Sequence, residues 1–218
     1  MGARPEDRRR RLTAVGTALV CDVLDGLGVR TSFLGADIGP LWPGDVVAGT
    51  ATTLRCRSAD DVAGEPYGVL FRALAAHQAD SVLVIAAGDR HSGVWGELLS
   101  VAAMARGVVG VVTDGLVRDR AAIGDLRFPV HAGGVSPLDS AGRQDFAELN
   151  VPVTLGDVEV HPHDWILADE LGAVAIPARH VDQVIELAET KSSGERTVRR
   201  ELEAGDDLGA VFRRHGIL

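Results

Sequence analysis

Apolar positions change their spacing several times along the chain, and each change marks an element. Leu19, Val20, Val23, Leu24 and Leu27 recur at helical intervals, which predicts an amphipathic helix ending at Gly26 or Gly28. Residues 41–56 then read as a Gly/Pro turn followed by alternating, Thr-rich β sequence. Residues 64–78 return to helical spacing, with Leu70 and Leu74 on the apolar side. SVLVIAA at 81–87 is apolar throughout, the mark of a strand covered on both faces. The loop GDRHSGVW (88–95) follows, then a helix over 97–106 stopped by Gly107, then a strand over 108–113. Strand, loop, helix and strand within about 33 residues make a βαβ unit.

The segments 128–135, 151–160 and 164–177 are strand-rich and punctuated by Gly and Pro. From Arg179 the character changes to a charged helix, with a break expected near KSSG (191–194) and a resumption from Glu195 to about Leu202. No internal repeat or low-complexity linker interrupts the chain. The simplest division is one α/β domain over 1–178 with a helical extension over 179–218.

Composition narrows this picture. Hydrophobic residues make up 46% of the chain and aromatics 4%, so Val, Ala, Leu and Ile must build the core, as is usual for an α/β protein. The net charge of −9 argues against a nucleic-acid partner, because phosphate binding needs a basic face. Cys21 and Cys56 form no CxxC or metal spacing and read as small buried hydrophobes in a reducing cytoplasm. RRRR followed by LTAVGTALVC resembles a signal peptide, but Thr13, Gly16 and Thr17 interrupt its apolar run and Asp22 and Asp25 end it. No apolar segment approaches the ~20 residues that span a bilayer. The expectation is a soluble cytoplasmic protein with no membrane partner.

The candidate chemistry lies in GELLSVAAMARGVVGVVTDGLVRD, residues 96–119. A right-handed crossover brings the C-terminal ends of parallel strands to one sheet edge, where α/β proteins bind ligands. The loop after 81–87 feeds a helix N-terminus at Gly96, whose free N–H groups favour a carboxylate. The loop after 108–113 offers Arg118, a planar fork for carboxylate or keto-acid oxygens, and Asp119, a hard oxygen ligand for Mg²⁺ or Mn²⁺. Glu97 is placed to add a second carboxylate. Such a set suits an enzyme that stabilises an enolate. The same residues also make an ordinary turn salt bridge and a dipole-favoured helix acid. Spacing alone leaves both readings open. His161 and His163, at i and i+2 without a third ligand, make a weak metal pair. Asp89, Arg90 and His91 read either as specificity residues or as surface loop.

The same motif closely resembles the signature of the RraA-like family, which includes class II 4-hydroxy-4-methyl-2-oxoglutarate / 4-carboxy-4-hydroxy-2-oxoadipate aldolases and RraA regulators of ribonuclease E. FPVHAGGVSP, NVPV, the stretch ending in LAD, GAVAIP and the closing LEAGDDLGAVFRRHGIL resemble family segments in family order. The resemblance covers nearly the whole chain. It implies a swivelling β/β/α-type sandwich assembled as a trimer or a dimer of trimers. By the same resemblance, Asp119 binds a divalent metal and Glu97 contacts its waters. Arg118 holds the keto oxygen of pyruvate, and the turn Gly96, Glu97, Leu98, Leu99 holds its carboxylate. A glutamate from a neighbouring subunit's C-terminal helix completes the metal site. Counting back from LEAG places it at Glu195, with Glu189 and Glu201 as the other register choices.

What the resemblance implies is a metal-dependent lyase that cleaves a 4-hydroxy-2-oxo acid to pyruvate and a second carbonyl compound, with oxaloacetate decarboxylation through the same enolate. The alternatives are a non-catalytic regulator that binds a ribonuclease, or a sister enzyme doing other metal-enolate chemistry on a specialised metabolite. Regulators of the family lack the Asp that ends this motif and the long C-terminal helix; this chain keeps both. Departures from the family pattern fall at His163, at Leu171 before Gly172, and in the loop GDRHSG (88–93). No glycine-rich S-adenosylmethionine loop follows a strand.

Overall fold

SVLVIA is buried along almost its whole length because it runs through the middle of the main sheet. The computed structural model describes residues 4–77 and 79–217. In chain order its first half holds α1 (Pro5–Gly26), β1 (Gly39–Pro40), β2 (Val47–Ser58), α2 (Gly68–Ala76), β3 (Ser81–Ala86), β4 (Gly93–Trp95), α3 (Glu97–Met104), β5 (Gly110–Thr113), β6 (Leu116–Val117), α4 (Arg120–Leu126), β7 (Val130–Ala132) and β8 (Gly134–Val135). The second half adds β9 (Gln144–Leu149), β10 (Val153–Leu155), β11 (Val158–Val160), β12 (Trp165–Asp169), β13 (Gly172–Ile176), α5 (Val181–Glu203) and α6 (Leu208–His215).

The main sheet runs β1-β7-β5-β3-β2-β12-β13, with β9 paired to the far half of β2. Its middle is parallel (β7, β5, β3, β2) and its flanks are antiparallel. The edge strands β1 and β13 come into contact, so the sheet nearly closes on itself. The expected α/β fold is present. Its βαβ unit is too, with Val82 beside Gly110 and Ile85 beside Thr113.

Three apolar clusters fill the two sides of this sheet. Leu70, Leu83, Ile85, Trp95 and Ile123 pack under α2, α3 and α4. Val82, Val84 and Val112 project the other way, against Leu155, Val160 and Ile166. Leu12, Val20, Leu24 and Leu167 join α1 to Val184 and Ile185 of α5. Each fully buried side chain of this size contributes about 1.5–3 kcal/mol.

Helix α1 carries the expected amphipathic face, but it bends at Gly16, whose φ of 80° no helix permits. The helix expected over 97–106 stops at Met104, with Gly107 in the left-handed region at φ 84°. The break expected near residues 191–194 is absent, because α5 runs unbroken from Val181 to Glu203. Its buried Val184, Ile185, Ala188 and Val198 hold the helix through the glycine. Gly194 is itself a packing site: the Cδ1 of Ile217 lies 2.6 Å from where a Cβ would stand.

Candidate active site

Three strands of two or three residues build the floor of the site. β4, β6 and β8 each follow a strand of the main sheet's parallel centre, and they pair with one another in parallel beyond that sheet's edge. Gly93 lies beside Leu116 and Trp95 beside Val117; Leu116 lies beside Gly134 and Val117 beside Val135. The ends of β4, β6 and β8 therefore converge, and these ends carry Gly96–Glu97, Arg118–Asp119 and the turn at 136–140.

The two halves of the 96–119 motif meet here. The Arg118 N–H donates to the Trp95 carbonyl at 2.9 Å. The Glu97 N–H points at Asp119 Oδ2, 3.3 Å away. Gly96 is required for this approach, since a Cβ there would lie 2.8 Å from Asp119 Oδ2 and 3.0 Å from Arg118 Cγ. Ahead of it Trp95 is locked by its Nε1–H to Ser100 Oγ at 2.8 Å. The Leu98 and Leu99 N–H groups, in the first turn of α3, have no backbone acceptor among the described residues. They are the free donors of a helix start.

Asp119 stands at the N-cap of α4 in the left-handed region, with φ 57°, yet its side chain does not cap that helix. It turns back to the cleft, where Oδ1 lies 3.4 Å from Arg118 Nε. A non-glycine residue in this region costs of order 1 kcal/mol and marks a position fixed by its surroundings. The remaining contact of Arg118 is Nη1 to Oδ2 of Asp139, in the turn after β8. These anions push the Arg118 guanidinium up from its ordinary value, Asp119 most strongly. Tyr67, Phe71, Leu98, Leu99 and Ser140 complete a cleft of about 380 Å³, within the range of small-molecule sites.

The donor set suits a hard divalent cation. The Asp119 side chain is 38% exposed, and its contacts at 3.3 and 3.4 Å are too long to hold it tightly. Among the described residues no three His, Cys, Asp or Glu side chains converge as a metal cage. One chain thus offers the Asp119 carboxylate, with Asp139 tied to Arg118; Glu97 meets Asp119 through its backbone N–H, and its side chain does not line the cleft. A single direct carboxylate fits an ion of the magnesium type, which keeps most of its water.

The other candidates sort clearly. Glu195 does not line this cleft; it borders a separate groove with Ser192, Arg199 and Ile217. Glu189 is held side-on by Nε and Nη2 of Arg11, at 2.8 and 2.7 Å. Glu201 is held by Arg214 at 2.7 Å and His215 at 3.0 Å. Glu195 is the one of the three with no hydrogen-bond or ion-pair partner among the described residues. Asp89 shapes its own loop, accepting from the His91 and Ser92 amides and the Ser92 hydroxyl, each at 2.7 Å. Arg90 turns to Asp37 and Asp114. Neither Asp89, Arg90 nor His91 lines the cleft. His161 pairs with Glu159 at 3.0 Å, and His163, at φ 72°, borders a small separate cavity. Burial pushes both thiols up, Cys56 most strongly. Tyr67, Phe71 and Asp139 were not among the expected site residues.

Residues 17–175 match the family model described as Aldolase/RraA. The chain belongs to the RraA-like family. A relative from Halalkalibacterium halodurans, provisionally named a 4-hydroxy-4-methyl-2-oxoglutarate aldolase, is 30% identical over 90% of this chain and 88% of its own length. RraAS2 of Streptomyces coelicolor, described as an unusual member of the RNase ES inhibitor RraA protein family, superposes with a TM-score of 0.82 at 30% identity. That match covers 91% of this chain and all of RraAS2 (100%). An uncharacterised protein of Pseudomonas syringae pv. tomato shares the fold at a TM-score of 0.81 and 23% identity, over 97% of this RraA-like chain and 99% of its own.

Proposed function

We propose that this RraA-like protein is a divalent-metal-dependent aldolase that cleaves a 4-hydroxy-2-oxo acid to pyruvate and a second carbonyl compound, with oxaloacetate decarboxylation as a side activity. The observation that carries the reading is the meeting of Arg118 and Asp119 with the start of α3, across the 3.3 Å contact between Asp119 and the Glu97 amide. Anion donors, a guanidinium and a loosely held carboxylate share one cleft there. The provisional aldolase name of the Halalkalibacterium relative points the same way.

In this reading the free amides of Leu98 and Leu99 hold the substrate carboxylate, aided by the positive end of α3. Arg118 donates to the C2 keto oxygen and stabilises the charge that gathers on it. The C3–C4 bond breaks as the C4 hydroxyl gives up its proton to solvent. The electron pair of that bond passes into the enolate of pyruvate, which is then protonated at C3. Asp119 would hold Mg²⁺ or Mn²⁺ directly and Glu97 its water shell; when bound, the ion adds Lewis-acid stabilisation of the keto oxygen. Glu195, unspent within its own chain, would serve a neighbouring copy in a homo-oligomer, a trimer or a dimer of trimers.

A pyruvate-coupled assay of 4-hydroxy-2-oxo acids tests this. Pyruvate release is expected with Mg²⁺ or Mn²⁺ and lost with EDTA or in Asp119→Ala; turnover unchanged by Asp119→Ala would sink the metal-ligand role. The likeness to RraAS2 supports a second reading, a non-catalytic regulator that binds a ribonuclease. Co-purification with a ribonuclease, together with no pyruvate from any 2-oxo acid, would favour it.

A further inference from the structure

Tyr67 opens α2 from a conformation that a bulky side chain rarely takes. Its φ of 60° lies in the left-handed region. Several contacts hold it there. Its N–H donates to the two carboxylate oxygens of Asp145, at 3.2 and 3.1 Å. Its carbonyl accepts the Phe71 N–H at 2.9 Å. Its ring stands 6.4 Å from that of Phe71 and 6.5 Å from that of the buried Phe146. A strained residue fixed this firmly points to a task for the side chain it carries.

That side chain lines the cleft of Arg118 and Asp119. The Tyr67 hydroxyl lies 3.3 Å from Oγ of Ser140, which lines the same cleft. Ser140 is fixed by its backbone, whose carbonyl accepts the Arg143 and Gln144 N–H groups at 2.8 and 3.0 Å. A separation of 3.3 Å is long for two hydroxyls. Neither has another hydrogen-bond partner among the described residues. Each brings one donor and two lone pairs. The charged side chains of the lining are tied to one another, Arg118 to Asp119 and to Asp139. Tyr67 and Ser140 thus form a hydroxyl pair with most of its hydrogen-bonding capacity unspent.

We infer that Tyr67 and Ser140 are specificity residues for the carbon that departs, and that their hydroxyls bind the oxygen carried on C4 of the substrate. This rests on the 2-oxo-acid reading of the cleft and gives it a second anchor point. C4 bears the hydroxyl of a 4-hydroxy-2-oxo acid and the carboxylate oxygens of oxaloacetate. A pair that both donates and accepts serves either. The α3 amides and Arg118 hold the part of the molecule that becomes pyruvate, and the hydroxyl pair holds the part that leaves. Both hydroxyls belong to the chain that supplies Arg118 and Asp119. They act beside a bound ion and a neighbouring copy's glutamate, not in their place.

Steady-state kinetics of the Mg²⁺-loaded full chain on 4-hydroxy-4-methyl-2-oxoglutarate and oxaloacetate, beside calorimetric titration with pyruvate, test the inference. Pyruvate has no C4. Tyr67→Phe should lower kcat/KM for both substrates by about five- to tenfold, mainly through KM. Ser140→Ala should act in the same direction, and the double variant should lose less than the product of the two. The Kd of pyruvate should stay within about twofold in each variant, which a merely structural role would not produce. A thermal melt of each variant confirms that it is folded. Unchanged kcat/KM in folded Tyr67→Phe and Ser140→Ala overturns the inference and leaves the 2-oxo-acid reading standing. Pyruvate binding weakened as much as kcat/KM does the same. Failure of pyruvate to bind, or of both substrates to be cleaved, overturns the inference and the reading beneath it.

Discussion

Asp169 caps Thr17 from 152 residues away: its Oδ2 accepts the Thr17 amide at 2.8 Å and its Oδ1 the Thr17 hydroxyl at 2.7 Å. The second half of α1 thus starts at Thr17, beyond the bend at Gly16, with a carboxylate from the end of β12 as its cap. Asp169 is buried, and it also accepts the Leu171 amide at 3.0 Å. Asp169→Ala strands these donors and is expected to cost roughly 1–3 kcal/mol. At about 2–4 °C per kcal/mol for a chain of this size, the loss is visible in a thermal melt. Asp169→Asn keeps one acceptor and should lose less.

Gly96→Ala tests the geometry of the cleft with one methyl group. The new Cβ would push Asp119 and Arg118 apart without touching the core. Displacements near 1 Å cost about 10²-fold in rate when reacting groups are held in place. Pyruvate formation should fall on that scale while the melting temperature barely moves. A variant with full activity would show that the close approach of these residues is dispensable.

His131 makes stability depend on pH. It is fully buried on β7; Nε2 donates to the Asp169 carbonyl at 3.1 Å, and Nδ1 has no partner among the described residues. Burial holds its pKa below the ordinary 6.5. The unfolded chain therefore binds a proton that the folded chain refuses as pH falls below about 6.5. Above that pH the histidine contributes no slope. Below it, stability should decline until the lowered folded pKa is passed. Urea midpoints at pH 8, 6.5 and 5.5 measure this, and His131→Gln should flatten the part of the decline due to this residue.

The three C-terminal glutamates should separate by assay. Glu201→Ala removes the tie to Arg214 and His215 and is expected to loosen α6, seen as faster amide exchange over 208–215. Glu189→Ala breaks a part-exposed pair with Arg11 and should change stability by at most about 1 kcal/mol. Glu195→Ala should leave both readouts alone and lower pyruvate formation. Full activity in Glu195→Ala would remove that residue from the catalytic assembly.

Legibility in the sequence followed the length of each element. The run at 81–87 and the helical spacing around Leu70 and Leu74 are long enough to show a period, and the crossover rule then brought Gly96, Arg118 and Asp119 to one edge. β4, β6 and β8 are two or three residues long and carry no period at all, so Asp139 at their far end stayed hidden. Nothing local in SPLDS marks it. The same limit applies to β9 and α4, whose polar and small residues gave no signal. At KSSG the local signal was real, but packing of α5 on α1 and of Ile217 on Gly194 outweighed it.

The ladder of β4, β6 and β8 separates what the cleft holds constant from what it is free to vary. A strand slips only in whole residues, and a slip of one would turn Arg118 to the other face. The position of Arg118 and Asp119 is therefore digital, insulated from drift in the surrounding helices. Tyr67, Phe71 and Asp139 approach from α2 and from a turn, outside that ladder, where single substitutions reshape the walls. On this scaffold a new substrate can be acquired without moving the chemistry.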